Sequence, residues 1–161
     1  MVMEVRGVAH PRPDKRRASP ADLSAAEIRG TQLAGMPLLN EHDHSARVGT
    51  VLASWEGRGG DLRMSAQIDD ERVAKQVREG QLRGLSLGTS MLMTADGNVA
   101  FRGQEELSIC EEGKRRNCWI DTIDGANVLQ HHTASKKGAC SRASFSITTV
   151  LCTPNWPWCH D

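Results

Sequence analysis

The alternation of hydrophobic and polar residues predicts short β-strands along much of the chain. Residues 48–55 and 61–68 form two such runs, joined by a glycine-rich turn at 56–60. In the second run every second residue is apolar: Leu62, Met64, Ala66 and Ile68. That period is typical of a strand with one buried face. The two runs therefore predict a pair of strands connected by a turn.

The same pattern predicts more strands towards the C-terminal half. Residues 82–93 and 106–110 have strand character, a hairpin turn is predicted at 96–98, and residues 118–123 indicate one further strand. The polar segment 11–17 contains two prolines and predicts a loop or an ordered arm.

Two helices complete the predicted elements. Ser19 as N-cap, with Pro20 at the first helical position, predicts a short helix that ends at Gly30. A second helix is predicted over residues 69–79, where two aspartates can cap its start. Many short strands with two helices favour a mainly β (α+β) single domain, which we expect to be a mostly antiparallel β-barrel flanked by a few helices.

The last 33 residues have a different character from the rest. Residues 129–161 show neither the period of a strand nor that of a helix, and prolines at 154 and 157 exclude a central strand there. We therefore expect a folded domain over residues 1–128 and a weakly ordered C-terminal tail over residues 129–161.

Composition restricts the classes of protein that fit. Hydrophobic residues make up 39% and charged residues 25% of the 161 residues, which is typical of a globular domain. The formal net charge is zero, so we expect no nucleic-acid partner. There is no run of about 18 apolar residues, so we expect no membrane-spanning helix. The first 17 residues lack the apolar core of a secretory signal, so we expect no secretion. The five cysteines, an odd number, then indicate reduced thiols in an intracellular protein.

One short motif suggests a nucleophile. Residues 84–88, Gly-Leu-Ser-Leu-Gly, match the G-x-S-x-G pattern of the α/β-hydrolases. In those enzymes the serine lies between a strand and a helix, with an acid and a histidine downstream. Here a helix is predicted before Ser86 and a strand after it, and the downstream histidines lie in the tail. The context therefore argues against an α/β-hydrolase.

A second candidate is the pair His42 and His44, which alternate with Glu41 and Asp43. Such a cluster can bind a metal, but a zinc site needs a third and a fourth ligand, and none stands at a familiar spacing. A solvated loop explains the cluster equally well. We expect no metal and no cofactor.

A third interpretation combines the two. A serine hydroxyl is a weak nucleophile until an imidazole removes its proton, and a third group improves catalysis by orienting that imidazole. His42 precedes a predicted strand, and Ser86 faces away from the predicted core. Glu106 begins a strand whose apolar residues, Leu107 and Ile109, point to the other face. Taken singly, the three residues are also compatible with a loop histidine, a strand serine and a solvated glutamate.

The order of three segments resembles the capsid-maturation serine proteases, which comprise the herpesvirus assemblins and the prohead proteases of tailed phages. Residues 36–49 resemble the family's P-L-N…H-D…V-G segment, and residues 78–88 resemble its G-L-S-L/I-S/G nucleophile strand. Residues 106–116 resemble the strand of the third catalytic residue, followed by a glycine and an arginine-rich turn.

The resemblance implies a serine endopeptidase with Ser86, His42 and Glu106 as catalytic residues. The family's histidine lies seven residues before the glycine, and this register selects His42 rather than His44. Assemblins have a second histidine at the third position, whereas the phage relatives more often use an acid. In assemblins the arginine-rich turn helps to form the oxyanion hole, which implicates Lys114 and Arg115 here.

The resemblance also implies a substrate and a setting. We expect cleavage of a scaffold or capsid precursor protein during procapsid maturation, a homodimer, and a location in the procapsid or the host-cell interior. The bonds that follow Ala134 and Ala143 resemble the Ala–Ser release sites of assemblins. The alternatives are a non-catalytic scaffold or capsid-assembly module with the same fold and, more remotely, a metal-dependent hydrolase.

Overall fold

The computed structural model describes residues 2–16 and 19–128. Within them the chain forms eight strands and two helices, in the order β1 (Met3–His10), α1 (Ala25–Gly30), β2 (Pro37–Asn40), β3 (Asp43–Glu56), β4 (Leu62–Ile68), α2 (Glu71–Arg78), β5 (Gly84–Met93), β6 (Val99–Cys110), β7 (Ile120–Ile123) and β8 (Ala126–Asn127). The predicted tail 129–161 and its two Ala–Ser sites lie outside the described residues.

All eight strands belong to one sheet with the order β5-β6-β2-β3-β4-β1-β7-β8. Neighbouring strands are antiparallel except for β2 and β6, which pair in parallel. The predicted barrel is not confirmed, because this order is open, with β5 at one end and β8 at the other. An isolated bridge between Gly84 and Trp119 links the start of β5 to the residue that precedes β7. The mainly β character with two helices is confirmed.

The hydrophobic core follows the alternation of the strands. Its largest fully buried side chains include residues of six strands: Met3, Leu38, Met64, Ile68, Leu85, Leu107, Ile109 and Ile120. Helix α2 buries Val73, Ala74 and Val77. Because alternate strand residues face opposite sides of the sheet, polar side chains between these apolar positions collect on the other face.

The predicted first helix is wrong at its start. Helix α1 begins at Ala25, and its N-cap is Ser24, which forms a capping box with Glu27. The segment before it is held by side chains instead of helical hydrogen bonds. The Asp22 carboxylate accepts from the Ser19 N–H, and His10 Nε2 accepts from the Leu23 N–H. These contacts fix an irregular segment where Ser19 and its proline indicated a helix.

The predicted strands at 48–55, 61–68, 82–93 and 106–110 are confirmed, although β3 begins earlier and β6 begins at Val99. The second helix is confirmed, with Asp70 as its N-cap. Strands β1 and β2 were not predicted. Strand β1 lies between β4 and β7, and its last four residues are all buried, so its second half lacks the alternation of a half-buried strand.

Candidate active site

The three predicted catalytic residues come from different parts of one end of the sheet. Ser86 lies in β5, Glu106 in β6, and His42 in the turn between β2 and β3. Strand β6 pairs with β5 on one side and with β2 on the other. Since β2 runs parallel to β6, its C-terminal end delivers His42 beside the strand that carries Glu106. The topology therefore brings His42 next to Ser86, 44 positions later in the chain, and next to Glu106, 64 positions later.

The His42 imidazole joins the other two side chains. Its Nε2 lies 2.9 Å from Ser86 Oγ, and its Nδ1 lies 2.5 Å from Glu106 Oε1. Ser86 and Glu106 are buried, at 6% and 2% exposure, and the His42 side chain is 18% exposed. When Nδ1–H donates to the carboxylate, Nε2 is free to accept the serine proton. The arrangement can therefore perform general-base activation of a hydroxyl.

The turn that carries His42 has an unusual backbone. Glu41 and His42 have φ values of 51° and 61°, in the left-handed region, which costs a residue with a side chain roughly 1–2 kcal/mol. Contacts to β6 and the residue after it hold the turn in this conformation. The Glu41 N–H donates to the Ile109 carbonyl at 3.0 Å, and the Glu41 carboxylate accepts from the Glu111 N–H at 3.0 Å. The turn therefore fixes the position of the His42 backbone, from which the imidazole extends.

Ser108 belongs to the site although none of the sequence motifs indicates it. Its hydroxyl donates to Glu106 Oε2 at 2.8 Å and accepts from the His42 N–H at 3.0 Å. The side chain is completely buried and lies directly opposite Ser86 in the β5–β6 register. Its position two residues after Glu106, and hence on the same face of a strand, is the signal that was available in the sequence.

The two glycines of the Gly-Leu-Ser-Leu-Gly motif are explained by close packing. A Cβ at Gly88 would lie 2.2 Å from Glu106 Oε1, so the glycine leaves the space that the carboxylate occupies. A Cβ at Gly84 would lie 2.1 Å from the Gly113 backbone nitrogen. Gly84 thus allows the loop after β6 to approach the start of β5. The motif matches that of the α/β-hydrolases in letters, but its glycines serve sheet packing.

Arg115, one of the two predicted oxyanion residues, is held against the strand of Ser86. Its guanidinium donates to the Asp22 carboxylate at 2.9 Å, to the Ala21 carbonyl at 3.0 Å and to the Leu87 carbonyl at 3.4 Å. Leu87 directly follows Ser86 in β5. The loop that contains the predicted oxyanion turn is therefore tied to the strand of the nucleophile candidate.

Lys114, the other predicted oxyanion residue, is half-buried beside Arg115. Burial and the neighbouring Arg115 charge lower the pKa of the Lys114 ammonium to about 8. A larger fraction of Lys114 is therefore neutral at pH 7 than of an exposed lysine.

Two side chains of the cluster around His42 and His44 have hydrogen-bond partners within the protein. Both ring nitrogens of His42 are used by Ser86 and Glu106, and the Asp43 carboxylate accepts from Ser45. Over residues 2–16 and 19–128, no group of three or more His, Cys, Asp or Glu side chains is placed to hold a metal ion. In the same residues, no helix has the length and apolar character needed to cross a membrane.

Two of the five cysteines lie within the described part of the chain. Cys110 and Cys118 are both buried free thiols. Burial raises the pKa of each thiol to about 12, so neither is a nucleophile at neutral pH.

The fold is similar to that of herpesvirus proteases. The protease of Kaposi's sarcoma-associated herpesvirus, in complex with a hexapeptide phosphonate inhibitor, matches with a TM-score of 0.57 and 15% identity over 76% of this chain and 65% of that one. The varicella-zoster virus protease matches with a TM-score of 0.54 and 12% identity over 78% of this chain and 65% of that one. The chain thus spans about 65% of the length of these two proteins.

At such low identity the likeness shows the fold alone. It supports the assemblin side of the family resemblance and gives no support to the phage side. No protein-family model and no curated protein sequence matches the chain.

Proposed function

We propose that the protein is a serine endopeptidase in which Ser86 is the nucleophile, His42 the general base and Glu106 the residue that orients the base. The observation that carries this proposal is the hydrogen-bonded series Ser86–His42–Glu106, with distances of 2.9 Å and 2.5 Å, on a fold shared with viral proteases. Serine, imidazole and carboxylate in this order are recognised by geometry across unrelated folds.

The reaction proceeds in two halves. His42 Nε2 takes the proton from Ser86 Oγ as the oxygen attacks the scissile carbonyl carbon, and Glu106 stabilises the imidazolium that forms. The imidazolium then gives its proton to the leaving amine as the peptide C–N bond breaks, which leaves an acyl-enzyme. In the second half His42 takes a proton from water as the water oxygen attacks the ester carbon. The bond between that carbon and Ser86 Oγ then breaks, His42 returns the proton to Ser86 Oγ, and the carboxylic acid product leaves.

The oxyanion of each tetrahedral intermediate would be bound by backbone N–H groups near Lys114 and Arg115. The contacts of Arg115 support a backbone role, because its guanidinium is already engaged with Asp22, Ala21 and Leu87. A backbone role also tolerates lysine at 114, where the family has arginine. One oxyanion donor is typically worth about 10²–10³ in turnover.

We assign a peptide chain as the substrate class. The Kaposi's sarcoma-associated herpesvirus neighbour binds a hexapeptide phosphonate inhibitor, which supports recognition of a peptide on this fold. Together with the three family-like segments, this favours a scaffold or capsid precursor cut during procapsid maturation. The homodimer and the procapsid location that the resemblance implies stay predictions.

The test compares wild type with Ser86→Ala by intact mass spectrometry after incubation, alone and with a candidate scaffold precursor. Ser90→Ala, in the same strand but with its hydroxyl on the Gly103 carbonyl, is the matched control. We expect cleavage by wild type and Ser90→Ala and none by Ser86→Ala. Cleavage in the Ser86→Ala sample would show that Ser86 is not the nucleophile.

The same experiment distinguishes the protease from the alternative function, a non-catalytic scaffold or capsid-assembly module. A wild type that forms a complex with the scaffold precursor but leaves it uncleaved, also at high protein concentration, would contradict the protease and favour a non-catalytic assembly module. A new fragment ending at Ala134 or Ala143 that forms in the wild-type sample and not in the Ser86→Ala sample would identify a release site in the tail.

A further inference from the structure

We propose that Ser108 is a positioning residue of this site, whose hydroxyl locks the Glu106 carboxylate and the His42 backbone into one hydrogen-bonded ring. The inference rests on the proposed function, because it concerns how the general base is held. The ring runs from the His42 N–H to Ser108 Oγ, through the Ser108 O–H to Glu106 Oε2, and from Glu106 Oε1 back to His42 Nδ1.

A hydroxyl suits this position because it can accept and donate at the same time. Ser108 Oγ accepts from the His42 N–H at 3.0 Å and donates to Glu106 Oε2 at 2.8 Å. An alanine at 108 would leave a backbone N–H and a carboxylate oxygen without these partners. Ser108 is completely buried, so solvent does not reach its position in the folded protein. Both freed groups would therefore tend to move.

The two contacts control two different parts of the base. The contact with Oε2 prevents the carboxylate from rotating, and this keeps Oε1 aimed at His42 Nδ1. The contact with the N–H holds the left-handed backbone of His42, with φ at 61°, from which the imidazole projects towards Ser86. Loss of Ser108 therefore affects the His42 imidazole in two ways, through its backbone and through the carboxylate at Nδ1. Orientation of catalytic groups is decisive, since a displacement of about 1 Å can cost a hundredfold in rate.

Ser108 also lies where it can act without touching the substrate. It is the cross-strand partner of Ser86 in the β5–β6 pair, yet its hydrogen bonds go to Glu106 and His42. A residue of this kind should change turnover and leave substrate binding nearly unaffected. A purely structural serine would change stability instead, and this difference provides the test.

The test uses Ser108→Ala, Ser108→Thr and a control, Ser65→Ala, which removes another buried strand serine from β4. We expect Ser108→Ala to lower kcat about 10-fold to 100-fold, with KM within about twofold of wild type, since a hydrogen bond to a charged group has that worth. Ser108→Thr, which keeps the hydroxyl, should recover part of kcat. Unchanged kcat in Ser108→Ala, or a loss that matches a fall in Tm and is not rescued by threonine, would overturn the proposal.

A second measurement does not depend on turnover. The proton on His42 Nδ1, in its 2.5 Å contact with Glu106, should give a downfield proton NMR signal that disappears in His42→Ala. We expect this signal to move or broaden in Ser108→Ala and to stay in Ser65→Ala. A signal that is the same in Ser108→Ala and wild type would overturn the role of Ser108. An inactive wild type with the expected signal changes would contradict the protease and leave the ring supported.

Discussion

Glu106 carries a carboxylate into the interior, where the residue is only 2% exposed. A buried charge of this kind is tolerated when both of its oxygens have strong partners. Oε1 lies against His42 Nδ1, and Oε2 accepts from Ser108. The same pairing that makes the charge tolerable also orients the imidazole. An acid at this position, where assemblins have histidine, is therefore consistent with its surroundings.

Gly88 is the residue that makes room for this carboxylate. In Gly88→Ala the new Cβ would stand 2.2 Å from Glu106 Oε1, so the carboxylate must turn away from His42. We expect kcat/KM to fall about a hundredfold, because misplacement by about 1 Å costs that much, and stability to fall by about 1–3 kcal/mol from overpacking. Peptide-cleavage kinetics and thermal unfolding measure the two effects.

The control for this variant lies in the neighbouring strand. In Gly103→Ala the new Cβ would first meet the Ser90 hydroxyl, at 3.0 Å, and the edge of Phe101, both of which are side chains. This variant should keep nearly full activity. Equal kcat/KM in Gly88→Ala and wild type would show that Glu106 does not depend on the space at 88.

At the scale of single residues, the sequence offers Ser86, His42 and Glu106 as candidates, because each stands in a segment with a local pattern and the three segments together resemble one family. Ser108 and Gly88 could not be selected in the same way. Their importance depends on the register of β5 against β6, which sets Ser86 opposite Ser108 and Gly88 opposite Glu106. Register depends on the hydrophobic patterns of both strands and on the turn that joins them, so neither strand read alone gives the pairing.

Among the elements, the segment between β1 and α1 differs most from its prediction. It is anchored by His10, which is buried at 1% exposure and accepts from the Leu23 N–H while its other nitrogen contacts the Pro11 carbonyl. Asp22 of the same segment binds Arg115 in the loop after β6. The segment therefore connects the end of β1 with the loop that contains the predicted oxyanion turn.

This anchor predicts a pH dependence of stability. Burial, helped by the Arg115 charge, lowers the pKa of His10 from 6.5 to about 4. Between these values the unfolded chain binds a proton that the folded protein does not, so stability falls as the pH drops from 6.5 towards 4. The His10 contribution to this loss is at most about 3 kcal/mol.

Denaturant unfolding at pH 7 and pH 5 measures this effect. We expect wild type to lose more stability between the two values than His10→Gln, which cannot take up the proton. His44→Gln, at an exposed histidine, serves as the control and should follow wild type. A loss in His10→Gln as large as in wild type would assign the pH dependence to other groups.

Patterns within one element predicted α2 and the strands with one buried face, but two kinds of element were missed. Strand β1 is buried between two others and lacks strict alternation, and β2 has only four residues. The start of α1 was placed too early because the proline after Ser19 suggested a cap. The capping box of Ser24 and Glu27 is the stronger signal, since both of its hydrogen bonds are formed.

For the whole molecule, the decisive feature is the parallel strand β2, inserted between β6 and β3 in an otherwise antiparallel sheet. Without it, the histidine would not lie beside the strands of the serine and the glutamate. Chain order alone cannot predict this insertion, because β2 pairs with a strand about 70 residues later in the sequence. The family resemblance supplied the three residues, and the topology explains why they meet.

The measurement that tests the central claim most directly is covalent labelling of Ser86. Wild type, His42→Ala and Ser90→Ala are treated with a fluorophosphonate at neutral pH, and the modified residue is located by peptide mass spectrometry. An activated serine reacts with such a reagent, whereas an ordinary strand serine does not. We predict labelling at Ser86 in wild type and Ser90→Ala, and a loss of at least about a hundredfold in rate in His42→Ala. Absence of labelling in wild type, or labelling of Ser86 at the same rate without His42, would contradict the account.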